Sequence, residues 1–481
     1  MEKKIVFGTD GWRGIIADDF TFKNVRYVAQ AVADYLKDKG SVCHKSLSPK
    51  VIVGYDRRFM SDKFALAAAR VMSGNGFKVI LSDKPLPTQA LSYSVINNKA
   101  IIGIMITASH NPPSYNGFKI KLQTGASADK DVTNRLEKLL FKNEPRDNNK
   151  IEYKDLIPEY LSKVRSMLDM DVIRRAKLKV VHNAMFGVGA GLLEQLLKGS
   201  KCKVTNMNTY HDPNFGGIHP EPIKKNLLGL IEEVKKQKAD IGVATDGDAD
   251  RVAIIDDTGR YLTPHHVFPL LLYYLCQGRK MKGKVVQTVS LGYLSERIAK
   301  AYGLPFQEVA VGFKYIAQIM LSEDMLIGGE ESGGYSMKGY IPDRDGFLNA
   351  LLFIEMVTKE KKKISQILNE IEKKFGRSCF DRIDVRMDID LKGRNFKDEF
   401  TKAIFKNTPL KIAGMKVNEL RTKDGAKFML GSKAVVGSEA WLLMRPSGTE
   451  PLVRIYAEAG NPARMKEILK AGNAMVKNCF K

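Results

Sequence analysis

Three runs of a lysine followed by β-branched residues recur along the chain, each ahead of a stretch with helical periodicity. The runs begin at Lys50, Lys179 and Lys284, and the helix-like stretches cover residues 61–75, 189–197 and 293–302. Strands that alternate with helices form βαβ units, in which the strands lie parallel in one sheet. The repeat therefore predicts three related α/β units with mainly parallel, mixed sheets.

The C-terminal part of the chain follows a different pattern. Residues 379–389 alternate as a half-buried antiparallel strand would, and residues 441–444 and 452–457 predict two strands around a tight loop. Residues 461–481 then predict a helix. This α+β module follows a short linker near Gly376, and a small terminal domain on such a linker could move as a lid.

The predicted fold class is thus α/β, with three α/β domains and a C-terminal α+β domain. At about 150 residues per domain, a chain of 481 residues is long enough for three or four domains. The predicted boundaries place these domains at residues 1–156, 157–258, 259–376 and 377–481.

Composition and cysteine usage narrow the class of protein. With 44% hydrophobic and 27% charged residues, the chain can bury sizeable cores. Its longest apolar runs, such as residues 267–276, are shorter than the ~20 residues that span a bilayer, and its start does not resemble a signal peptide. The five cysteines are scattered without Cys-x-x-Cys spacing, which argues against a disulfide framework or zinc site. We expect a soluble protein of the reducing cytoplasm.

The net charge of +23, from 77 basic and 54 acidic residues, would suit nucleic acid, an anionic membrane surface or small acidic substrates. The lysines are spread along the chain, however, as on a solvated surface. No stacked-aromatic or helix-turn-helix pattern accompanies the charge, so we expect no nucleic-acid partner and no membrane partner. A nucleic-acid-binding function would predict strongly salt-dependent binding of polynucleotides.

A serine follows the apolar run of residues 100–106, which predicts a buried parallel strand. Ligands gather beyond the carboxyl ends of such strands, so Ser109 in the sequence TASHNP is a candidate for chemistry. Alone, it could also be a loop serine that caps a helix. The Gly-x-Ser-x-Gly of hydrolases is absent, and the adjacent His110 is poorly placed as the base of a triad. Lys119, one short strand later, could move a proton.

Three aspartates stand within five residues after another predicted strand. Asp246, Asp248 and Asp250 repel one another, and a divalent cation converts that repulsion into attraction. Oxygen ligands of this kind suit Mg²⁺ and leave room for a phosphate oxygen. The positions that an EF-hand fills with Gly and Glu hold Arg251 and Asp257, which excludes that motif. A merely solvated acidic turn remains the alternative.

Two later loops and one early loop carry polar groups that suit hydroxyls or anions. Residues 328–334 (GGEESGG) place carboxylates beside a hydroxyl, as two neighbouring sugar hydroxyls require. Residues 445–449 (RPSGT) combine a guanidinium, two hydroxyls and glycine-exposed amides, which can cradle a phosphate. Residues 8–14 (GTDGWRG) could bring Arg13 toward an anion. Each could also be an ordinary polar loop.

The five motifs, in this order and over nearly the whole chain, resemble the α-D-phosphohexomutase family, which includes phosphoglucomutases and phosphomannomutases. The resemblance implies four domains around a central cleft. It also implies that Ser109 is the phosphorylated serine, and that Mg²⁺ is held by its phosphate and by Asp246, Asp248 and Asp250.

The resemblance further implies roles for the remaining site residues. Phosphoryl and proton transfer at the serine would be supported by Arg13, His110, Lys119 and Arg251. The sugar 3- and 4-hydroxyls would be held by Glu330 and Ser332, with Lys314 as a further substrate-binding candidate. The phosphate that is not reacting would be held by Arg445, Ser447, Gly448 and Thr449.

The implied activity is that of an isomerase acting on a phosphosugar. Phospho-Ser109 passes its phosphoryl group to a hexose 1-phosphate, the hexose 1,6-bisphosphate turns around, and the other phosphoryl group returns to the serine. This bisphosphate is the intermediate and the activator. Glucose, mannose or both are the expected sugars. Phosphoglucosamine mutases typically carry Gln and His where Glu331 and Gly334 stand, so that activity is an alternative.

A metal-dependent phosphomonoesterase that uses the same serine is a further alternative. It would release inorganic phosphate, which a mutase conserves. The expected oligomeric state is a monomer or a homodimer.

Overall fold

The computed structural model describes residues 5–8, 10–38, 49–387, 395–431, 438–447 and 452–479. The chain divides into two compact units. The first unit contains the residues up to Leu262 together with Ile316–Asp324 and Ser332–Ile364. The second unit contains Thr263–Tyr315, Met325–Glu331 and the residues from Ser365 onward. Residues 259–376, the predicted third domain, are therefore shared between the two units.

The N-terminal segment forms a mixed six-stranded sheet. Its elements are β1 (Trp12–Ile15), α1 (Phe22–Lys37), β2 (Lys50–Tyr55), α2 (Ser61–Gly74), β3 (Lys78–Ser82), α3 (Thr88–Asn97), β4 (Ile102–Ile106), β5 (Tyr115–Leu122), α4 (Lys130–Leu139) and β6 (Ile151–Lys154). The strand order is β1-β5-β4-β2-β3-β6. Strands β4, β2, β3 and β6 run parallel, whereas β5 is antiparallel to both of its neighbours.

Every residue of β4 is buried, as the apolar run before the serine loop predicts. A parallel strand with helices on both faces must be apolar on both sides, which explains its unbroken run of Ile, Gly and Met. Because β2, β3 and β4 are parallel, the segments that follow them leave the same edge of the sheet. This edge carries the serine loop.

The next segment forms a mixed five-stranded sheet in the order β11-β10-β9-β7-β8. Its elements are α5 (Ile157–Ser166), α6 (Met170–Arg175), β7 (Lys179–Asn183), α7 (Leu192–Leu196), β8 (Lys203–Met207), α8 (Leu228–Gln237), β9 (Ile241–Thr245), β10 (Val252–Ile255) and β11 (Tyr261–Leu262). Strands β8, β7 and β9 are parallel, and β9 and β10 form an antiparallel hairpin. The three aspartates occupy the turn of this hairpin.

The third segment continues the α/β pattern. Its elements are α9 (Pro264–Gln277), β12 (Lys284–Thr288), α10 (Tyr293–Ala301), β13 (Phe306–Val309), α11 (Phe313–Ser322), β14 (Met325–Gly329), β15 (Tyr335–Met337), α12 (Gly346–Glu360) and α13 (Ile364–Phe375). Within the second unit, β12 lies parallel between β13 and β14. Within the first unit, α12 packs against β9, β10 and α6.

The C-terminal segment is an antiparallel sheet with two helices. Its elements are β16 (Cys379–Arg386), α14 (Phe396–Lys406), β17 (Lys411–Ile412), β18 (Met415–Arg421), β19 (Ala426–Leu430), β20 (Ala440–Pro446), β21 (Leu452–Ala459) and α15 (Pro462–Asn478). The strand order is β16-β21-β20-β19-β18-β17. Phe400 on α14, Leu442 and Ile455 on the sheet, and Ile468 on α15 share one buried core.

The predicted fold class is confirmed, with differences at some element ends. The sequence pattern predicts a helix over residues 189–197, but α7 covers only Leu192–Leu196, because Gly191 before it has a left-handed φ of 75°. The predicted strand at residues 441–444 extends to Ala440–Pro446. Among the described residues, no helix combines the length and apolar character needed to cross a membrane.

Candidate functional site

Ser109 lies in the loop between β4 and β5, and its side chain is directed at the aspartate turn. The residue is 1% exposed, and its Oγ donates a hydrogen bond to Asp246 Oδ2 at 2.8 Å. Its backbone has a left-handed φ of 52°, which a residue with a Cβ adopts only where its surroundings enforce it. The loop is therefore held in one conformation by specific contacts.

Arg58, which follows β2, supplies most of those contacts. Its guanidinium donates hydrogen bonds to four carbonyls at this loop. Three are in the loop, those of Ser109 at 2.6 Å, Asn111 at 2.7 Å and Pro112 at 2.7 Å, and the fourth is that of Tyr115, the first residue of β5, at 3.0 Å. The Arg58 side chain is fully buried, and it lies 4.9 Å above the ring of Phe215. A planar group with five N–H donors can hold several carbonyls at once, which a lysine cannot.

Asp56 completes the support of the serine loop from the same strand end. Its carboxylate accepts hydrogen bonds from Thr107 Oγ1 at 2.6 Å and from Ser61 Oγ at 2.7 Å, and it pairs with Arg58 Nε at 3.2 Å. The Thr107 hydroxyl in turn accepts from the Ser109 N–H at 2.9 Å. Burial raises the pKa of Asp56, although Arg58 and the two hydroxyls oppose the shift.

Neither Asp56 nor Arg58 was among the residues predicted from the sequence. The sequence did indicate a place near the site for both residues, because both follow a strand that is parallel to β4 and ends at the same edge of the sheet.

The aspartate turn approaches the serine loop closely. A Cβ at Gly247 would lie 2.6 Å from the carbonyl oxygen of Ser109, so only glycine fits there. Asp246, Asp248 and Asp250 are each fully buried, and one carboxylate oxygen of each lies within 4.8 Å of the others.

The aspartate carboxylates are only partly satisfied. Asp246 accepts from Ser109 Oγ and from the Arg251 N–H at 3.0 Å, and Asp248 Oδ2 accepts from Thr88 Oγ1 at 2.6 Å. Among the described groups, Asp248 Oδ1 and Asp250 Oδ1 have no hydrogen-bond partner. Buried carboxylate oxygens without partners are costly unless a cation is bound. The three residues therefore fit a divalent metal ion, and their oxygen ligands are of the hard type that Mg²⁺ prefers.

The surroundings shift the pKa values of Asp246 and Asp248 in opposite directions. Burial raises the pKa of Asp246, and the neighbouring Asp250 and Asp248 raise it further. Burial also acts on Asp248, but Lys119 and the hydrogen bond from Thr88 outweigh it and lower the pKa of that carboxyl.

Lys119 and Arg344 bring positive charge to the aspartates. Lys119 lies within β5, and its Nζ is 2.8 Å from Asp10, 2.9 Å from Asp248 and 3.6 Å from Asp250. Burial would lower the pKa of Lys119, but these three carboxylates outweigh it and raise the pKa. Arg344 Nη2 lies 2.6 Å from Asp250 Oδ2 and 3.2 Å from Asp10 Oδ2.

Sequence reasoning missed Asp10 and Arg344. Asp10 lies inside the glycine-rich motif that was noted for Arg13, so its presence was visible but its role was not. Arg344 carries no motif signal, and it reaches Asp250 across 94 residues of sequence.

The other predicted catalytic residues lie around the serine. Arg13, on β1, donates through Nη1 to Asn111 Oδ1. His110 Nδ1 is 3.4 Å from Ser109 Oγ, and burial together with Arg251 and Arg13 places the pKa of His110 well below its usual value. Arg251 also pairs with Glu221 at 3.4 Å. The structure therefore brings all the predicted catalytic and metal-binding residues together in the first unit.

The predicted phosphate-binding residues belong to the second unit. Arg445, near the end of β20, donates through Nε to Asp424 Oδ2 at 2.7 Å. Asp424 also accepts from Lys397 Nζ at 2.7 Å and from the Val311 N–H at 3.1 Å. Burial opposes ionisation of Asp424, but Arg445 and Lys397 outweigh it and lower its pKa. Ser447 is buried, whereas the predicted partners Gly448 and Thr449 lie outside the described residues.

The predicted sugar-binding residues are divided between the units. Glu330, 3% exposed, follows β14 in the second unit, and Ser332 belongs to the first unit. The neighbouring Glu331 accepts from Thr288 Oγ1 at 3.2 Å. Lys314 lies in the first turn of α11, with its Nζ 5.3 Å from the centre of the Tyr315 ring.

Comparison with known proteins identifies the family. Models of the phosphoglucomutase/phosphomannomutase family match four successive segments: α/β/α domain I at residues 4–147, α/β/α domain II at 158–259, α/β/α domain III at 263–375 and the C-terminal domain at 397–472. The chain belongs to this family, and it is an isomerase of the α-D-phosphohexomutase superfamily.

Similar proteins are named for different sugars. A phosphoglucomutase/phosphomannomutase of Thermococcus kodakarensis is 30% identical over 99% of both chains. A phosphoglucosamine/phosphogalactosamine mutase of Sulfurisphaera tokodaii is 30% identical over 94% of this chain and 95% of its own. A crystal structure of a provisionally named phosphomannomutase from Thermus thermophilus is 32% identical, with a TM-score of 0.86 over 99% of this chain and 100% of the other.

Proposed function

We propose that this enzyme interconverts hexose 1-phosphate and hexose 6-phosphate, with glucose and mannose as its sugars, through a phosphorylated Ser109. The observation that carries the proposal is the 2.8 Å contact between Ser109 Oγ and Asp246 inside a buried aspartate trio. A serine that only stabilised its loop would not need three fully buried carboxylates around its hydroxyl. A serine that carries a phosphoryl group needs cations close by, because phosphoserine brings about −1.5 to −2 charges.

Asp246, Asp248 and Asp250 would hold Mg²⁺, which when bound offsets the charge on a transferring phosphoryl group. The chain's own cations lie close enough to His110, the neighbour of this serine, to lower the pKa of its side chain. Arg13, Arg251 and Lys119 supply positive charge from three different elements. Positioned charges of this kind account for most of the catalysis in phosphoryl transfer.

The support of the serine loop explains how the hydroxyl is aimed. Arg58 fixes four carbonyls at the loop, and Asp56 fixes Thr107, so Ser109 Oγ is held against Asp246 before substrate arrives. A preorganised nucleophile lowers the entropic cost of reaching the geometry of transfer. The neutral His110 beside it can accept or donate a hydrogen bond without adding charge.

The phosphate that is not reacting is assigned to Arg445, Ser447, Gly448 and Thr449. The contact of Asp424 with Nε fixes the plane of the Arg445 guanidinium. A guanidinium with a fixed plane can bind a phosphate through two parallel hydrogen bonds. Glu330 and Ser332 would bind the sugar hydroxyls, and Lys314 would add a further contact.

The choice of glucose and mannose rests partly on Gly334. A Cβ at this position would lie 2.1 Å from Arg344 Cδ, so any side chain there would displace an arginine that is held by Asp250 and Asp10. The histidine that phosphoglucosamine mutases typically carry at this position does not fit this arrangement. Glucosamine nevertheless stays the second candidate, because similar proteins are named for it.

An assay of purified protein on glucose 1-phosphate, mannose 1-phosphate and glucosamine 1-phosphate tests the proposal. The reaction contains Mg²⁺ and a trace of the matching 1,6-bisphosphate. We expect interconversion of the first two sugars without release of inorganic phosphate, and a loss of at least about 10²-fold in Ser109→Ala.

Ser114→Ala is the matched control, because Ser114 lies in the same loop but is exposed. Steady release of inorganic phosphate would instead support a phosphomonoesterase. Full activity in Ser109→Ala would remove the serine from the mechanism.

A further inference from the structure

A pocket separate from the candidate catalytic site lies in the first unit, at the carboxyl ends of strands from two sheets, namely β2 and β3 of one sheet and β7 of the other. Arg57 follows β2, Lys84 and Pro85 follow β3, and Val188 and Ala190 follow β7, and all of these residues line the pocket. Its volume is about 480 Å³, within the roughly 300–1,000 Å³ of small-molecule sites. In open α/β sheets, ligands bind beyond the carboxyl ends of the strands. The pocket therefore occupies a position where α/β proteins bind small molecules, and it contains none of the residues assigned to the mutase site.

One part of the pocket wall is strongly cationic. Four basic side chains and one carboxylate line it: Arg57, Lys84, Arg165, Lys198 and Asp155. Asp155 pairs with Lys84 at 2.5 Å. Arg57 donates to the Thr209 carbonyl at 2.9 Å, and Arg165 donates to the Gln195 carbonyl at 2.5 Å. Bonds to neutral carbonyls orient these guanidinium groups but do not cancel their charge, so the wall favours an anion.

Apart from Gln195, the remaining wall is apolar. It is formed by Pro85, Ile157, Pro158, Leu161, Val188 and Leu192. A hexose phosphate has hydroxyls on every side and gains little from such a surface. A ligand with a flat, weakly polar ring would bury that ring against it.

We propose that this pocket binds a nucleotide, with the base against the apolar wall and the phosphates at Arg57, Arg165 and Lys198. Because Lys84 pairs with Asp155, three positive charges of the wall remain, and the negative charges of two phosphates would balance them. Arg57 directly precedes Arg58, so the bound phosphates would lie next to the segment that supports the Ser109 loop. The occupant is distinct from the sugar phosphate and does not compete with it.

Calorimetric titration of the full-length protein with ADP tests the proposal, in EDTA so that no metal links the nucleotide to the aspartates. We expect saturable binding of ADP. Adenosine lacks the phosphates and ribose 5-phosphate lacks the base, so each should bind at least about tenfold more weakly. Binding should persist in Ser109→Ala and in the presence of glucose 1,6-bisphosphate.

Two charge reversals locate the site. Arg165→Glu and Lys198→Glu should each weaken ADP binding at least about tenfold, since each places a like charge beside the phosphates. Lys201→Glu makes the same change in charge at an exposed position outside the pocket and should leave binding unchanged. Lys198 is exposed and outside the mutase site, so its variant should keep mutase activity and thereby report a folded protein.

Three results would overturn the proposal. The first is the absence of saturable ADP binding up to about 1 mM. The second is displacement of ADP by the hexose bisphosphate, and the third is undiminished binding in the Lys198→Glu variant.

Discussion

Two clusters of charged side chains, one in each unit, differ in how completely their carboxylates are paired. Around Asp424 and Glu308 in the second unit, every carboxylate oxygen is engaged. Glu308 pairs with Arg421 at 2.7 Å and Lys427 at 2.6 Å, and Asp424 binds Arg445, Lys397 and a backbone N–H. Around Ser109 in the first unit, Asp248 and Asp250 each keep one buried oxygen that has no hydrogen-bond partner among the described residues.

The contrast separates two functions of buried charge. A fully paired network fixes the side chains that it contains, so changes to it should alter binding or stability. An incompletely paired cluster has capacity for a further cation, so changes to it should alter chemistry. The predictions for Asp248 and Asp424 below each test one side of this comparison.

The largest effect is expected at the incompletely paired cluster. Asp248→Asn removes one carboxylate ligand and one partner of Lys119, and we expect kcat to fall by at least about 10³-fold, with weaker Mg²⁺ dependence. Asp171→Asn, at an exposed side chain of α6, is the control for loss of an acidic charge. Unchanged kcat and unchanged metal affinity in Asp248→Asn would mean that the trio is structural.

The next effect is expected at the support of the serine loop. Arg58→Lys keeps the charge but cannot hold four carbonyls, so the loop should lose its alignment. We expect kcat to fall by about 10²-fold with little change in KM, because a small misplacement of a reacting group is costly. Arg70→Lys, at a surface arginine bonded to Asn149, should have no effect. A change confined to KM would instead place Arg58 in substrate binding.

A smaller effect is expected in the fully paired network of the second unit. Asp424→Asn removes the charge that orients Arg445, and we expect KM for hexose phosphate to rise about tenfold with kcat changed much less. Glu308→Gln in the neighbouring network should lower thermal stability without this rise in KM. Equal effects of the two substitutions on KM would show that Asp424 acts on stability alone.

The smallest effect concerns a buried histidine of the first unit and is read in stability. Burial lowers the pKa of His182 to about 4 from 6.5, so the folded state holds this side chain neutral. The neutral His182 side chain makes its full contribution to the free energy of unfolding above pH 6.5. This contribution is lost as the pH falls toward 4, and the total loss is about 3 kcal/mol. Urea unfolding between pH 7 and pH 4 should show this loss in the wild type and a smaller one in His182→Gln.

His211→Gln, at an exposed histidine, is the control and should follow the wild type. If the free energy of unfolding had the same pH dependence in His182→Gln and in the wild type, His182 would not be the source of the loss in stability.

The parts of the molecule that could be predicted from the sequence are those that a few neighbouring residues determine. The apolar run of β4 and the turn with three aspartates each lie within a few residues, and their positions follow from the rule that ligands gather at strand ends. The fold class could be predicted for the same reason, because strands and helices alternate over neighbouring stretches of the chain.

The missing parts depend on contacts between distant segments. Arg344 and Asp10 meet Lys119 and the aspartates only after the chain has folded, and neither stands in a pattern that reveals the contact. Arg58 was within reach of prediction, because it follows a strand beside β4. Its four hydrogen bonds to carbonyls could not be predicted, because every residue has a backbone carbonyl and the sequence does not indicate which of them accept.

The most direct test of the central claim is to locate the phosphoryl group on the protein. Protein incubated with glucose 1,6-bisphosphate, quenched and digested should carry one phosphate in the peptide that contains Ser109, as read by tandem mass spectrometry. The phosphate should be present in Ser114→Ala and missing in Ser109→Ala. Turnover of hexose phosphate by a protein whose Ser109 never carries phosphate would contradict the account.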